Sequence, residues 1–287
     1  MKYKFLILSG FLFLMSNSCT PEIDNPTSSP VADGKSGDMI IHKLLINGNY
    51  IYVNEIKGVY YYAQDITITP TQFNYLKSLS SPDLPMIKRS AIAKAFIKTW
   101  PKGIIYYKMP EKSSLSTERY AEFLNNIKKA FEMISSKTKV KFIEGFNQPE
   151  YINFKYSESS NDSPVGWTKN TINTINVVSI GSVATIAHEI MHSMGIEHEQ
   201  SRPDRDKYII VHTNRIQRGM ENNWNIEPEF AGFGTFDFKS VMLYDSNAGS
   251  IDSRPVMTKL DGTTFESNEE GLSEGDYAGI NHLYNPL

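Results

Sequence analysis

The stretch His188-Glu189-Ile190-Met191-His192-Ser193-Met194-Gly195-Ile196-Glu197-His198-Glu199 decides how the rest of the chain is read. On an α-helix, residues four apart stand one above the other, about 6 Å along the axis. His188 and His192 therefore aim ring nitrogens at one ion. Glu189 projects at a different angle and reaches a water on that ion rather than the ion itself. A third ligand soon after His192 requires the helix to stop and the chain to turn. Gly195 takes the left-handed backbone that such a stop needs, at little steric cost, and brings His198 to the third position. Three neutral imidazoles leave a fourth position open, which is the catalytic pattern of zinc and not the structural one. The spacing implies one Zn2+ per chain.

Just upstream, Ser182 is a helix cap ahead of an apolar lead-in, and Thr174-Ile175-Asn176-Val177-Val178-Ser179-Ile180 reads as a strand ending at Gly181. Ser116 caps a helix expected from Thr117 to about Ser135, with Tyr120, Phe123, Leu124, Ile127, Phe131 and Ile134 as one apolar stripe. Strands are expected at 139–143 and 151–156, and Ser273 with Asp276 forms the cap pattern of a final helix.

Longer stretches carry a family likeness. His188 to Asp206, HEIMHSMGIEHEQSRPDRD, resembles the signature of the astacin family of zinc endopeptidases, a branch of the metzincins. Glu199 and the tail Arg202-Pro203-Asp204-Arg205-Asp206 are its distinguishing parts. Ser240-Val241-Met242-Leu243-Tyr244 is similar to the family's Met-turn, with Leu243 where the family usually has histidine. Gly271 to Tyr277 with Leu283-Tyr284 resembles the closing helix, and Trp100 to Tyr107 the opening strand. The likeness runs over about residues 90 to 287. It implies an α+β, metzincin-like catalytic domain: a mixed sheet and the zinc-binding helix over an irregular C-terminal half with a final helix.

The resemblance also implies roles. His188, His192 and His198 bind zinc, and Tyr244 is a further, displaceable ligand that later hydrogen-bonds the oxyanion. Glu189 is the general base and then the proton shuttle to the leaving amine. Met242 packs beneath the histidines, and Glu199 meets the N-terminus freed by activation. An edge strand above the cleft takes the substrate by β-augmentation, with Ser163 to Lys169, including Gly166 and Trp167, as the candidate. His42, His212 and His282 have no ligand-like spacing.

Family members are made as zymogens in which an aspartate blocks the metal. Residues 39–89 are the expected prosegment, with short β-prone runs at 39–41, 50–53 and 59–62 and a turn at Asn47-Gly48. Asp65, in Tyr62-Ala63-Gln64-Asp65-Ile66, is the expected switch; Asp38, in Lys35-Ser36-Gly37-Asp38, is the alternative. Lys88-Arg89 reads either as a processing site for an activating protease or as two exposed cations.

The N-terminus adds an address. Lys2 and Lys4 precede a short apolar run to Met15, the pattern of a bacterial export signal over residues 1–19. Ser16-Asn17-Ser18-Cys19 resembles a relaxed lipobox with Cys19 as the lipidated residue. Residues 20–38 then read as a disordered tether rich in Pro, Ser, Asn, Asp and Gly. The expected location is the cell envelope, as a lipoprotein touching the membrane through its anchor alone, or secretion. A single cysteine excludes an internal disulfide, and a net charge of −3 gives no sign of a nucleic-acid partner. Protein or peptide substrates are the expected partners. The competing reading is a catalytically idle zinc-binding surface protein, which has no use for Glu189 or Tyr244.

Overall fold

The computed structural model describes residues 34–36, 39–46, 49–80, 98–226 and 233–285. Cys19 and the export signal, Asp38 and Lys88-Arg89 lie outside the described residues. One expectation changes at once. Gly34–Ser36 form strand β1, antiparallel to β2 (Met39–Ile46), so the expected tether over 20–38 contains a paired segment. Composition misses this because edge pairing uses main-chain groups, which any side chain leaves free.

β2 continues through β3 (Asn49–Ile56), β4 (Val59–Tyr61) and β5 (Ile66–Ile68) as an antiparallel meander. Alternation puts Leu44, Ile46, Ile51 and Val53 on its buried face, where Phe73 and Leu76 of helix α1 (Pro70–Leu79) cover them. Thr69 and Gln72 close a reciprocal capping box at the start of α1, with Pro70 in the first turn. Val165, from far along the chain, completes this core.

The second layer is a parallel sheet in the order β10-β8-β6-β7: β6 (Ile104–Lys108), β7 (Lys141–Glu144), β8 (Ile152–Tyr156) and β10 (Asn173–Val177). Helix α2 (Thr117–Ser136) lays Phe123, Ile127, Phe131 and Ile134 on it. Each such side chain contributes about 1.5–3 kcal/mol by burial. β9 (Ser163–Pro164) joins the two sheets. It pairs in parallel with β5, while the adjacent Asp162 forms an antiparallel bridge to Asn176 of β10.

Helix α3 (Val183–Ser193) crosses the same core. Ser182 caps it through Thr185 N, and Asn126 of α2 donates to Ile180 O just upstream, which fixes where α3 starts. Its last carbonyls are satisfied from both ends of the domain: Trp100 Nε1 donates to Ser193 O and the Tyr284 hydroxyl to Met194 O, each at 2.8 Å. The C-terminal part has a third core, with Trp224, Leu243, Val256 and Met257, under the two-stranded pair β11 (Ile209–Val211) and β12 (Met257–Lys259). Leu243 fills that core, a place where an imidazole would need a partner. Helix α4 (Glu274–Leu283) ends the described chain. Among the described residues no helix is long and apolar enough to cross a membrane.

Candidate metal centre and its cleft

The end of α3 is a Schellman turn. Gly195, at φ 96°, donates to His192 O and Ile196 N donates to Met191 O. The turned chain sends the Ile196 carbonyl back to His192, whose Nδ1 donates to it at 2.8 Å. His188 Nδ1 donates to Val241 O at 2.8 Å. A carbonyl only accepts, so both Nδ1 atoms carry the proton and both Nε2 atoms present lone pairs.

Those lone pairs converge. His192 Nε2 lies 3.0 Å from His188 Nε2 and 3.1 Å from His198 Nε2. Zinc–nitrogen bonds at a tetrahedral angle set nitrogens about 3.3 Å apart. Lone pairs this close repel unless a cation lies among them, so the donor set fits one zinc ion. Asp65 closes the group: it and the three histidines offer ligand atoms all within 4.8 Å of one another. Its Oδ2 is 3.3 Å from His188 Nε2 and 3.2 Å from His198 Nε2. Its Oδ1 accepts the Tyr244 hydroxyl at 2.7 Å.

Charge follows from this packing. Burial raises the Asp65 carboxyl, but its close contacts with His198 and His188 outweigh it and hold Asp65 well below its ordinary value. Burial, then the neighbouring imidazoles, keeps His192 well below the usual imidazole range, and burial lowers His198. Burial also pulls on His188, yet Asp65 and the Val241 carbonyl lift it above its ordinary value. Burial, then the charges of Asp65 and Asp162, pushes Glu189 well above the carboxylate range. Glu189 Oε2 is buried with no partner among the described residues, as suits a carboxylate facing a small reactant.

The turn at 240–244 is built from outside. Asp276 accepts from Ser240 Oγ (2.6 Å), Val241 N (3.0 Å) and Ser273 N (2.9 Å). One carboxylate thus caps α4 and clamps the turn whose Val241 carbonyl orients His188. Met242 is buried in the main core, and its carbonyl accepts Glu199 N, next to His198. The Tyr244 ring lies 4.3 Å from that of His198. Glu199 Oε1 accepts from Arg202 Nη1 (3.0 Å) and Asp237 N (2.7 Å). Burial still pushes it up to about 7.

The cleft beside the centre holds about 950 Å³ and is lined from both parts of the chain, by Gln64 and Asp65 as well as by His188, Glu189 and Tyr244. Ser163 N donates to Asp65 O at 2.9 Å. The pairing strand is short, and Gly166 and Trp167 lie beyond it. Gly166 N donates to His192 O, and Trp167 N donates to Lys98 O while its ring packs on the main core. Sequence reasoning missed three polar residues here, and a second role of Asp276, which it marked only as a helix cap. Asp162 accepts from Ser160 Oγ and Asn176 Nδ2 and hydrogen-bonds Tyr61. Asn222 and Asn223 hold main-chain groups of residues 52–64, and Asp276 clamps the turn. No local signal marks these roles at the cleft, because the partners that matter there (Tyr61 for Asp162, residues 52–64 for the asparagines, Ser240 and Val241 for Asp276) are distant in sequence. His42 pairs with Glu55, His212 with Thr258, and His282 stacks on Phe233, and none of the three belongs to the ligand group.

The sequence matches the model of the peptidase family Astacin over residues 92–285. It is 56% identical over 290 residues to flavastacin of Elizabethkingia meningoseptica, covering 100% of this chain; the chain spans 65% of the length of that relative. It is 32% identical over 208 residues to astacin-like metalloprotease toxin 2 of Loxosceles intermedia, covering 70% of this chain and 78% of that one. Among solved structures it is similar to high choriolytic enzyme 1, a hatching enzyme zinc-protease from Oryzias latipes. The TM-score is 0.58 at 26% identity, over 67% of this chain and 96% of that one.

Proposed function

The chain belongs to the astacin family of peptidases, and on that premise we propose that it is a zinc-dependent endopeptidase made latent by its own Asp65. The observation that carries this reading is the Asp65 carboxylate, seated against two Nε2 lone-pair sites and the Tyr244 hydroxyl at once. It occupies the space that a reacting carbonyl and an attacking water need.

His188, His192 and His198 would hold the metal. A bound zinc ion supplies Lewis acidity toward the scissile carbonyl and makes water a nucleophile near neutral pH. The protein does the rest. Glu189, next to the ligand pair, takes the proton of the attacking water and delivers it to the leaving amine. Its high proton affinity in this buried setting suits both transfers. Tyr244, freed from Asp65, donates its hydroxyl to the developing oxyanion. β9 offers main-chain groups to an extended peptide, the place that β5 fills here. Glu199, now satisfied by Arg202 and Asp237 N, is the group that a newly formed N-terminus would meet after trimming. An activating protease is the implied partner, cutting in the connection that contains Lys88-Arg89. Residues 1–19, with Cys19, are read as the signal that exports and anchors the protein.

Digestion of an unfolded protein substrate by the trimmed chain, with and without a chelator, tests this reading. Digestion that stops on chelation and returns with zinc is the expected result. Stoichiometric zinc with no digestion of any protein or peptide would establish the idle zinc-binding protein instead.

A further inference from the structure

Segment 39–79 is held at the cleft by more than its aspartate. The short turn Glu221–Trp224 carries two buried carboxamides, Asn222 at 6% and Asn223 at 2% exposure. Both spend most of their hydrogen bonds on main chain, with Asn225 Nδ2 also donating to Asn222 Oδ1. Asn222 Oδ1 accepts Tyr52 N at 3.1 Å, and its Nδ2 donates to Tyr52 O and to Tyr62 O. Asn223 Oδ1 accepts Gln64 N at 2.7 Å and lies 3.4 Å from the Tyr244 hydroxyl, while its Nδ2 is fixed on Met220 O.

The two asparagines are not equivalent. Asn222 holds Tyr52, well before the aspartate. Asn223 holds the N–H of the residue just before Asp65, and so stands one residue from the metal centre. It also reaches the side chain that would donate to the oxyanion. When the segment leaves, Asn223 Oδ1 is a buried acceptor with only the long contact to Tyr244. An unsatisfied buried acceptor costs about 1–3 kcal/mol. The group it loses is a peptide N–H, which every peptide supplies.

We infer that Asn223 is a main-chain receptor of the cleft, its Oδ1 accepting the N–H of a substrate residue beside the scissile bond. This rests on the reading of the cleft as a peptide site. It makes one residue serve both states: a latch on the prosegment before trimming, a positioning group for substrate afterwards. Because it reads backbone, it adds affinity without choosing a side chain.

The test uses the full chain with a site-specific protease sequence replacing residues 88–91, cut after folding and freed of its segment. In a Glu189→Gln background, the affinity of one fluorescent decapeptide is compared with its singly N-methylated versions. One N-methylation is expected to weaken binding roughly tenfold, the worth of one such hydrogen bond. Asn223→Ala is expected to weaken the unmodified peptide by a similar factor and to erase the penalty at that position alone. Asn223→Asp, which keeps the acceptor oxygen, is expected to retain most of the affinity. Penalties that are the same in parent and Asn223→Ala overturn the inference. So does a parent indifferent to every N-methylation, which needs no variant to fold, or a cut parent that binds no peptide. With Glu189 restored, a protein that shows the N-methyl pattern yet cleaves nothing would sink the peptidase reading and leave the receptor standing.

Discussion

The Tyr244 hydroxyl donates to Asp65 Oδ1 at 2.7 Å, across 179 positions of sequence. The other oxygen of that carboxylate faces His188 and His198. One side chain therefore contacts two of the three converging imidazoles and the Tyr244 hydroxyl together. On the proposed reading, neither acts until it moves.

Asp65→Ala in the untrimmed chain is accordingly expected to raise basal peptide hydrolysis at least tenfold, on the scale of the one or two charge-assisted hydrogen bonds removed. A fluorogenic peptide assay checks it against wild type under the same zinc concentration. Full latency in the variant would remove Asp65 from the mechanism.

Glu189→Gln keeps the shape of the side chain and removes its ability to take a proton. Loss of a general base typically costs 10²–10⁴-fold, so kcat of the trimmed protein is expected to fall by about that much. Metal content by mass spectrometry should stay at one zinc per chain, since Glu189 is not among the grouped ligand atoms. An unchanged kcat would assign the base elsewhere.

Zinc should contribute to stability and depend on pH in a stated direction. A ligand at 1,000 times its Kd stabilises by about 4 kcal/mol, so chelation is expected to lower Tm by several degrees and zinc to restore it. Bound zinc requires neutral imidazoles, so affinity is lost as pH falls. Burial keeps His192 and His198 below the usual range, so they stay neutral further into acid than a free imidazole. The raised His188 protonates first and sets where release begins. A zinc titration by calorimetry between pH 5 and roughly 8 should show weaker binding at the acid end; the opposite slope would contradict the ligand set.

Asp276→Asn tests the clamp beneath His188. An amide replaces one of two oxygens that together accept three donors, so at least one donor loses its acceptor. The expected cost is about 1–3 kcal/mol in urea unfolding. Burial raises the Asp276 carboxyl, with its donors only partly offsetting this. A raised carboxylate favours folding below its unfolded value, and that contribution is lost as pH rises through the folded value. The parent should therefore lose some stability upward from about pH 4, and the variant should lack that slope.

The convergence of the three histidines was legible in the chain alone, because a shared ion constrains a short stretch. The i, i+4 histidines, Gly195 and His198 lie within one helix and one turn, where local geometry is set by neighbouring residues. Ser182, Ser116 and the Ser273–Asp276 box marked three helices for the same reason. What faces that centre was chosen by the folding of distant segments onto one another. Asp65 was singled out in the sequence by its likeness to a family motif, with Asp38 left open; folding put Asp65 over the imidazoles, ran β5 along β9, and turned Asn222 and Asn223 onto the segment's backbone. It also gave Asp276 its second duty at Ser240 and Val241. These contacts join residues far apart in sequence through main-chain groups or single polar atoms. Such partners leave no periodicity and no spacing, so they are fixed by how the apolar cores close and not by any local run of residues.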